Sequence, residues 1–135
     1  MQPTPDQDAV ITGVVEGLTP GPHGFHIHQY GSFLGGCGAA GGHYNPFGVR
    51  HGAPDDETRH VGDLGNIEAD SNGVANINIV DRMVKLYGPI SVDGRSFVIH
   101  NNTDDLGRGE YPDSLTTGHA GSRVGCCTIG IARGS

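Results

Sequence analysis

The sequence contains no tryptophan, and its other large aromatic residues are few: four Phe and four Tyr in 135 residues. Basic residues are scarce too, with 8 Lys and Arg against 15 Asp and Glu and a formal net charge of −7. That balance excludes nucleic acid and anionic membrane as electrostatic partners. No run approaches the roughly 18 apolar residues of a membrane span, and the opening Met1-Gln2-Pro3-Thr4-Pro5 has no signal-peptide core. A cytoplasmic protein is the expectation from that start, with extracellular export of a processed form left open. Helical periodicity is nearly absent, and no repeat, linker or boundary is visible. Residues 1–135 are therefore expected to form one domain.

Two residue types are abundant instead. Glycine supplies 24 residues, far above the roughly 7% average, and without the period of a repeat. Such a chain spends much of its length in turns and loops, which is entropically costly unless something staples them. Eight histidines accompany only three cysteines. In a small, loop-rich domain this points to a structural or catalytic metal, with ordinary surface histidines as the plain alternative.

Apolar residues alternate in short segments: Val10–Glu16, Phe25–His28, Val74–Ile79, Val84–Tyr87, Ser96–His100 and Cys127–Ala132. Period-two runs punctuated by Gly and Pro predict strands of an antiparallel sandwich or barrel. Ser71-Asn72-Gly73 and Val92-Asp93-Gly94 supply tight turns. Two long polar, Gly-rich stretches, 29–66 and 101–122, read as loops. Loops beyond about 12–15 residues in a compact domain are usually functional or disordered, and both of these contain or adjoin histidines.

His26 and His28 are one residue apart in a predicted strand, which places both imidazoles on one face about 7 Å apart. His43, His51 and His60 follow in the first long loop, closing with Asp63, and His100 ends another strand. Several imidazoles with one carboxylate form a donor set suited to zinc or copper.

These segments resemble the copper/zinc superoxide dismutase family. Gly24-Phe25-His26-Ile27-His28-Gln29-Tyr30-Gly31 resembles its first copper-binding strand. Gly41-Gly42-His43-Tyr44-Asn45-Pro46 resembles the segment with its bridging histidine. Arg59-His60-Val61-Gly62-Asp63-Leu64-Gly65-Asn66 resembles the end of its zinc loop. Val98-Ile99-His100, Thr103–Gly109 and Gly118-His119-Ala120-Gly121-Ser122-Arg123 complete the pattern.

The resemblance implies a Greek-key β-sandwich or flattened barrel with two long functional loops. It implies copper on His26, His28, His43 and His100, and zinc on His43, His51, His60 and Asp63, with His43 bridging the two. Asp104 matches the carboxylate that orients a copper-side and a zinc-side histidine, here His26 and His51. His23 and His119 fall outside the ligand set and are expected to be structural or surface residues. Cys37 and Cys126 match the family disulfide, which leaves Cys127 as a buried free thiol. Arg123 matches an arginine that docks superoxide beside the copper. A lysine common in the family's channel loop is replaced here by Thr116, while a cation is kept at Arg108. The implied reaction is dismutation of superoxide to oxygen and hydrogen peroxide, in which His43 takes and returns a proton. The resemblance further implies a homodimer contact near Tyr30-Gly31, Gly94 and Ile131, and loading by a copper chaperone. It begins near residue 9, so the N-terminal hairpin of family members is expected to be missing and Met1–Gln7 to add no strand.

The chief alternative is a non-catalytic copper-binding or copper-chaperone domain of similar sequence. His100 is present, no C-x-x-C motif occurs, and Cys126-Cys127 is not a C-x-C tail.

Overall fold

A computed structural model describes residues 8–132; Met1–Gln7, expected to add no strand, lie outside the described residues. The chain forms β1 (Ala9–Val15), β2 (Gly21–His28), a 3-10 turn (Cys37–Ala40), β3 (Asp63–Ala69), β4 (Ala75–Asp81), β5 (Ser96–His100) and β6 (Arg123–Thr128). These strands build one antiparallel sheet in the order β1-β4-β3-β2-β5-β6. The run β1-β4-β3-β2 is a Greek-key order, because three consecutive strands neighbour one another and β1 lies beside β4. Among the described residues β1 and β6 are the sheet's edges. Among the described residues no helix is long and apolar enough to cross a membrane.

The sheet curls around one core. Phe25 and Ile27 of β2, Leu64 and Ile67 of β3, and Ala75 of β4 pack as a cluster with Phe97 and Ile99 of β5 against it. Strand β2 is buried on both faces from His23 to His28. Alternation sends Phe25 and Ile27 into the core and His26 and His28 to the other side, under the two long loops. The β2–β5 register sets Phe25 opposite Ile99 and Ile27 opposite Phe97, and the rings of Phe25 and Phe97 stack at 5.2 Å.

Three expectations need correction. Val84–Tyr87 is not a strand. Asp81 Oδ1 accepts from the backbone N–H of Met83 and Val84, which turns the chain as β4 ends. Val84 and Leu86 still reach the core, so the alternation reflects burial without a ladder. The first loop ends at residue 62, because Asp63–Ala69 is a strand that its Asp, Gly and Asn disguise as a turn. It pairs with β2 through a bulge between Gly24 and His26. The last strand runs over Arg123–Thr128, ahead of the predicted Cys127–Ala132, since its partner β5 ends at His100, opposite Arg123. The second loop spans 101–122 as expected.

Candidate metal centre

The seven predicted metal-donor residues come from several parts of this frame and converge on one place. His26 and His28 come from β2 and His100 from the end of β5. His43 forms an isolated bridge with His28. His51 and His60 come from the first loop, and Asp63 is the first residue of β3. The donor atoms of His26, His28, His43 and His100 lie within 4.8 Å of one another, and so do those of His43, His51, His60 and Asp63. All seven residues are buried.

The hydrogen bonds decide which ring nitrogen each histidine offers. His26 Nε2 pairs with Asp104 Oδ2 at 2.7 Å, and His51 Nε2 with Asp104 Oδ1 at 2.7 Å. One carboxylate, that of Asp104, therefore fixes a ring from each group. His28 Nδ1 donates to the Gly41 carbonyl at 2.9 Å and His100 Nδ1 to the Gly121 carbonyl at 3.1 Å. That leaves His26 Nδ1, His28 Nε2 and His100 Nε2 for a common centre; the last two are 3.2 Å apart. On the other side, Asp63 Oδ1 faces His43 Nδ1 at 3.0 Å, His51 Nδ1 at 2.8 Å and His60 Nδ1 at 3.1 Å. Asp63 Oδ2 accepts from the N–H groups of Gly52 and His60. With Nδ1 turned to Asp63, His43 has Nε2 left for the first group, so its ring lies between the two.

Among the described residues, the buried side-chain nitrogens and oxygens without a hydrogen-bond partner are His26 Nδ1, His43 Nε2 and His51 Nδ1. Buried polar atoms are rarely orphaned, and these three belong to the two donor groups. His51 Nδ1 is close to Asp63 but outside hydrogen-bonding geometry. A cation in each group would satisfy all three. Four imidazole nitrogens suit copper, and three imidazoles with one carboxylate suit a four-coordinate zinc.

Electrostatics separates the groups. Burial, reinforced by the neighbouring His43, pushes His26 down to about 3, His28 to about 2 and His100 to about 4. His43 is also lowered by burial, although Asp63 pulls the other way. Burial opposes the charge of His51 too, but the Asp104 bond and the nearby Asp63 carboxylate outweigh it and raise His51 to about 9. Burial would raise Asp63, yet His43, His51 and His60 hold it far below the usual carboxylate range. Asp104 drops to about 2 against burial, held by His26 and His51.

Packing around the centre is tight. Gly118, at φ +72°, passes so near Asp104 and His51 that a Cβ there would sit 2.6 Å from His51 Nε2. His23 is buried between the carbonyls of His100, at 2.8 Å, and Thr19, at 2.7 Å, a structural role as expected. His119 pairs with Asp113 and stacks on Tyr111 at 3.6 Å, away from both groups.

Cys37 and Cys126 are disulfide-bonded with a Cα–Cα distance of 5.9 Å. Cys127 is free but exposed rather than buried. It belongs to β6, an edge strand among the described residues. The staple also serves Arg123, whose Nη1 donates to the Cys37 carbonyl at 2.9 Å and Nη2 to that of Gly41. The Gly41 carbonyl thus holds both Arg123 and His28. Arg108 is ion-paired with Asp56 at 2.8 Å, so its charge is answered locally.

Sequence reasoning gave Arg59 no role, yet this fully buried guanidinium ties down the loop that carries His51 and His60. It bonds Asp81 at 2.7 and 3.3 Å and the carbonyls of Pro54, His60 and Val61. Arg95 likewise lies 3.7 Å over the Tyr44 ring, beside His43. A charged residue next to His60, a member of the donor group, is the one local signal that marks Arg59.

Residues 1–129 match the family described as copper/zinc superoxide dismutase (SODC). The chain belongs to the copper/zinc superoxide dismutase family. It is 58% identical over 125 residues to the extracellular superoxide dismutase (Cu-Zn) of Onchocerca volvulus, which covers 90% of this chain and 62% of that protein. It is 52% identical over 124 residues to superoxide dismutase (Cu-Zn) 5 of Dictyostelium discoideum, covering 92% of this chain and 82% of that one. The chain thus spans less than two thirds of the Onchocerca dismutase's length. The two donor groups that share His43 are what a copper/zinc family calls for.

Proposed function

We propose that this chain dismutes superoxide, converting two superoxide ions and two protons into dioxygen and hydrogen peroxide. The observation that carries the reading is the pair of buried donor groups that share His43, with their unpartnered nitrogens turned to two centres. His26, His28, His43 and His100 would hold copper; His43, His51, His60 and Asp63 would hold zinc. Copper supplies the one-electron couple the reaction needs, and zinc orients the shared histidine without redox chemistry.

The protein's own residues do the rest. Arg123, anchored on the disulfide loop, offers a permanently charged planar fork that docks the superoxide anion. The carbonyls of Cys37, Gly38 and Gly41 hold its direction, so little ordering is left to be done on binding. His43 Nε2 takes a proton during one half-reaction and returns it in the other, while Nδ1 stays on the zinc side. Asp104 keeps His26 and His51 in fixed tautomers through both. The chain carries −7 overall, so attraction of the anion rests on this local cation; superoxide dismutase is itself a standard example of such steering.

The relative named extracellular and the Cys37–Cys126 bond support a site of action outside the cytosol, where disulfides persist. The exposed Tyr30 and Ile131, 53% and 48% accessible, support pairing of two copies through that face. A copper chaperone would load the first group.

A superoxide-consumption assay on copper- and zinc-loaded protein tests the reading. Consumption that is catalytic in protein and lost on chelation supports it. Tight copper binding without turnover would make this a copper-binding or chaperone-like domain instead.

A further inference from the structure

The stretch that follows β5 carries a motif the metal centre does not use. Asn101-Asn102-Thr103 is an Asn-X-Thr triplet without proline in the middle, and no other Asn-X-Ser or Asn-X-Thr occurs in the sequence. Such a triplet is the acceptor pattern for N-linked sugar in chains that enter the secretory lumen, where a surface position is required of it.

The structure separates the two asparagines. All three residues are exposed, and the backbone of Asn101 and Asn102 is held by hydrogen bonds. Asn101 N–H donates to Ser122 at 2.8 Å, Asn102 N–H to Ala120 at 2.9 Å, and Gly24 N–H to Asn102 at 2.9 Å. The Asn102 side chain is wedged against Gly121, where a Cβ would come within 2.6 Å of its Nδ2. The Asn101 amide makes a single exposed contact, with Asn102 Oδ1 at 3.3 Å, which a sugar can replace without stranding a buried group. Thr103 Oγ1 has only a long 3.4 Å contact with the Pro22 carbonyl. The fold therefore uses Asn102 and places little demand on the residue types at 101 and 103, the two positions a glycosylation triplet requires.

The position also tolerates bulk. His100 is buried toward the metal centre while Asn101 is exposed, so a substituent on Asn101 leaves the centre clear. Asn101 stands instead at a cleft of about 200 Å³, lined by Val15 and Leu18 from the β1 side and by Val124 and Gly125 of β6. The two strands that are the sheet's edges among the described residues approach each other there. A hydrophilic oligosaccharide at that rim would cover the edges against pairing with another chain.

We infer that Asn101 is the acceptor of an N-linked oligosaccharide, an inference that rests on the extracellular reading above. Asn101 Nδ2 displaces a polyprenyl diphosphate from the anomeric carbon of a lipid-linked oligosaccharide. The carbon–nitrogen bond forms, the carbon–oxygen bond to diphosphate breaks, and one amide proton leaves to the transferase.

The test is peptide mass mapping of the full chain, expressed behind a cleavable secretory leader in eukaryotic cells and loaded with both metals. The Asn101 peptide should carry a sugar that peptide-N-glycosidase removes, leaving Asp at that position. Asn101→Gln and Thr103→Ala should lose the sugar, while Asn102→Gln and Thr103→Ser keep it. An unmodified Asn101 in the secreted chain overturns the inference. Mapping the protein isolated from its source separates the compartment from the acceptor. A bare native Asn101 beside a modified leader-directed one would sink the extracellular reading and natural occupancy together, while a sugar on both supports both.

Discussion

Arg123 sends its donors to the backbone carbonyls of Cys37, Gly38 and Gly41 rather than to a carboxylate, whereas Arg108 is spent on Asp56. Replacing Arg123 with Ala should leave both metals bound and lower kcat/KM roughly tenfold, about 1.4 kcal/mol of lost stabilisation. Inhibition by small anions should weaken in parallel, and unchanged anion affinity would remove the docking role. Thr116 is exposed and stands where the family resemblance leads one to expect a lysine. Thr116→Lys should raise the association rate at low ionic strength, with the gain shrinking toward about 0.15 M salt as screening shortens to about 8 Å. An equal gain at all salt concentrations would mean that the lysine acts by contact rather than by field.

His51 makes the two metals differ in their response to pH. Its pKa near 9 means that zinc must displace a proton at neutral pH, so zinc affinity should climb with pH until about 9. The copper-side rings, at about 2 to 4, impose no such cost above about pH 4. Titration calorimetry in buffers of different protonation enthalpy should find the His51 proton released by zinc, and one further proton, from the shared His43, released by whichever metal binds second. The metal-free fold follows the same groups. Depressed His26, His28 and His100 let the unfolded chain bind more protons below pH 6.5, so stability falls as the solution is acidified. Raised His51 contributes below 6.5 and loses its contribution as pH rises through about 9. Metal-free stability should therefore peak near pH 6.5.

Among the elements, the first long loop carries most of the zinc-side donors, and two devices hold it. Arg59 joins it to the end of β4 through Asp81 with both side chains buried. Arg59→Leu strands the Asp81 charge and should cost about 3–5 kcal/mol, with zinc lost before copper. Replacing both partners by apolar residues should cost much less, which thermal unfolding of the single and double variants would establish. The disulfide closes a separation of 89 residues, for which loop entropy predicts about 4–5 kcal/mol.

The histidines are legible in the sequence because their chemistry is written in residue type. Period two alone places His26 and His28 on one face, and the β5 segment is readable from Ser96 to His100. Strand β3 is not legible, since Asp63-Leu64-Gly65-Asn66 has turn residues where a half-buried strand would show alternation. Its register is set by β2 across a bulge, a non-local fact. Val84–Tyr87 fails in the opposite sense: alternation marks burial and nothing local marks the absence of a partner strand. Arg59 is hidden because a buried guanidinium needs a distant carboxylate, and sequence does not say that residue 81 lies beside residue 59.

For the whole molecule, a curled sheet with two edge strands buries a modest core, and the opposite side of β2 buries seven metal-donor side chains that are costly without a cation. Metal and fold should be coupled: ligands brought together only by folding turn binding energy into folding energy. Chelation should lower the unfolding temperature sharply, and readdition should restore it. The most direct measurement is elemental analysis of the reconstituted chain together with superoxide turnover on the same sample. One copper and one zinc per chain with catalytic consumption of superoxide is the predicted result. Copper alone, with full turnover and no zinc on His51, His60 and Asp63, would contradict a site built around a shared His43.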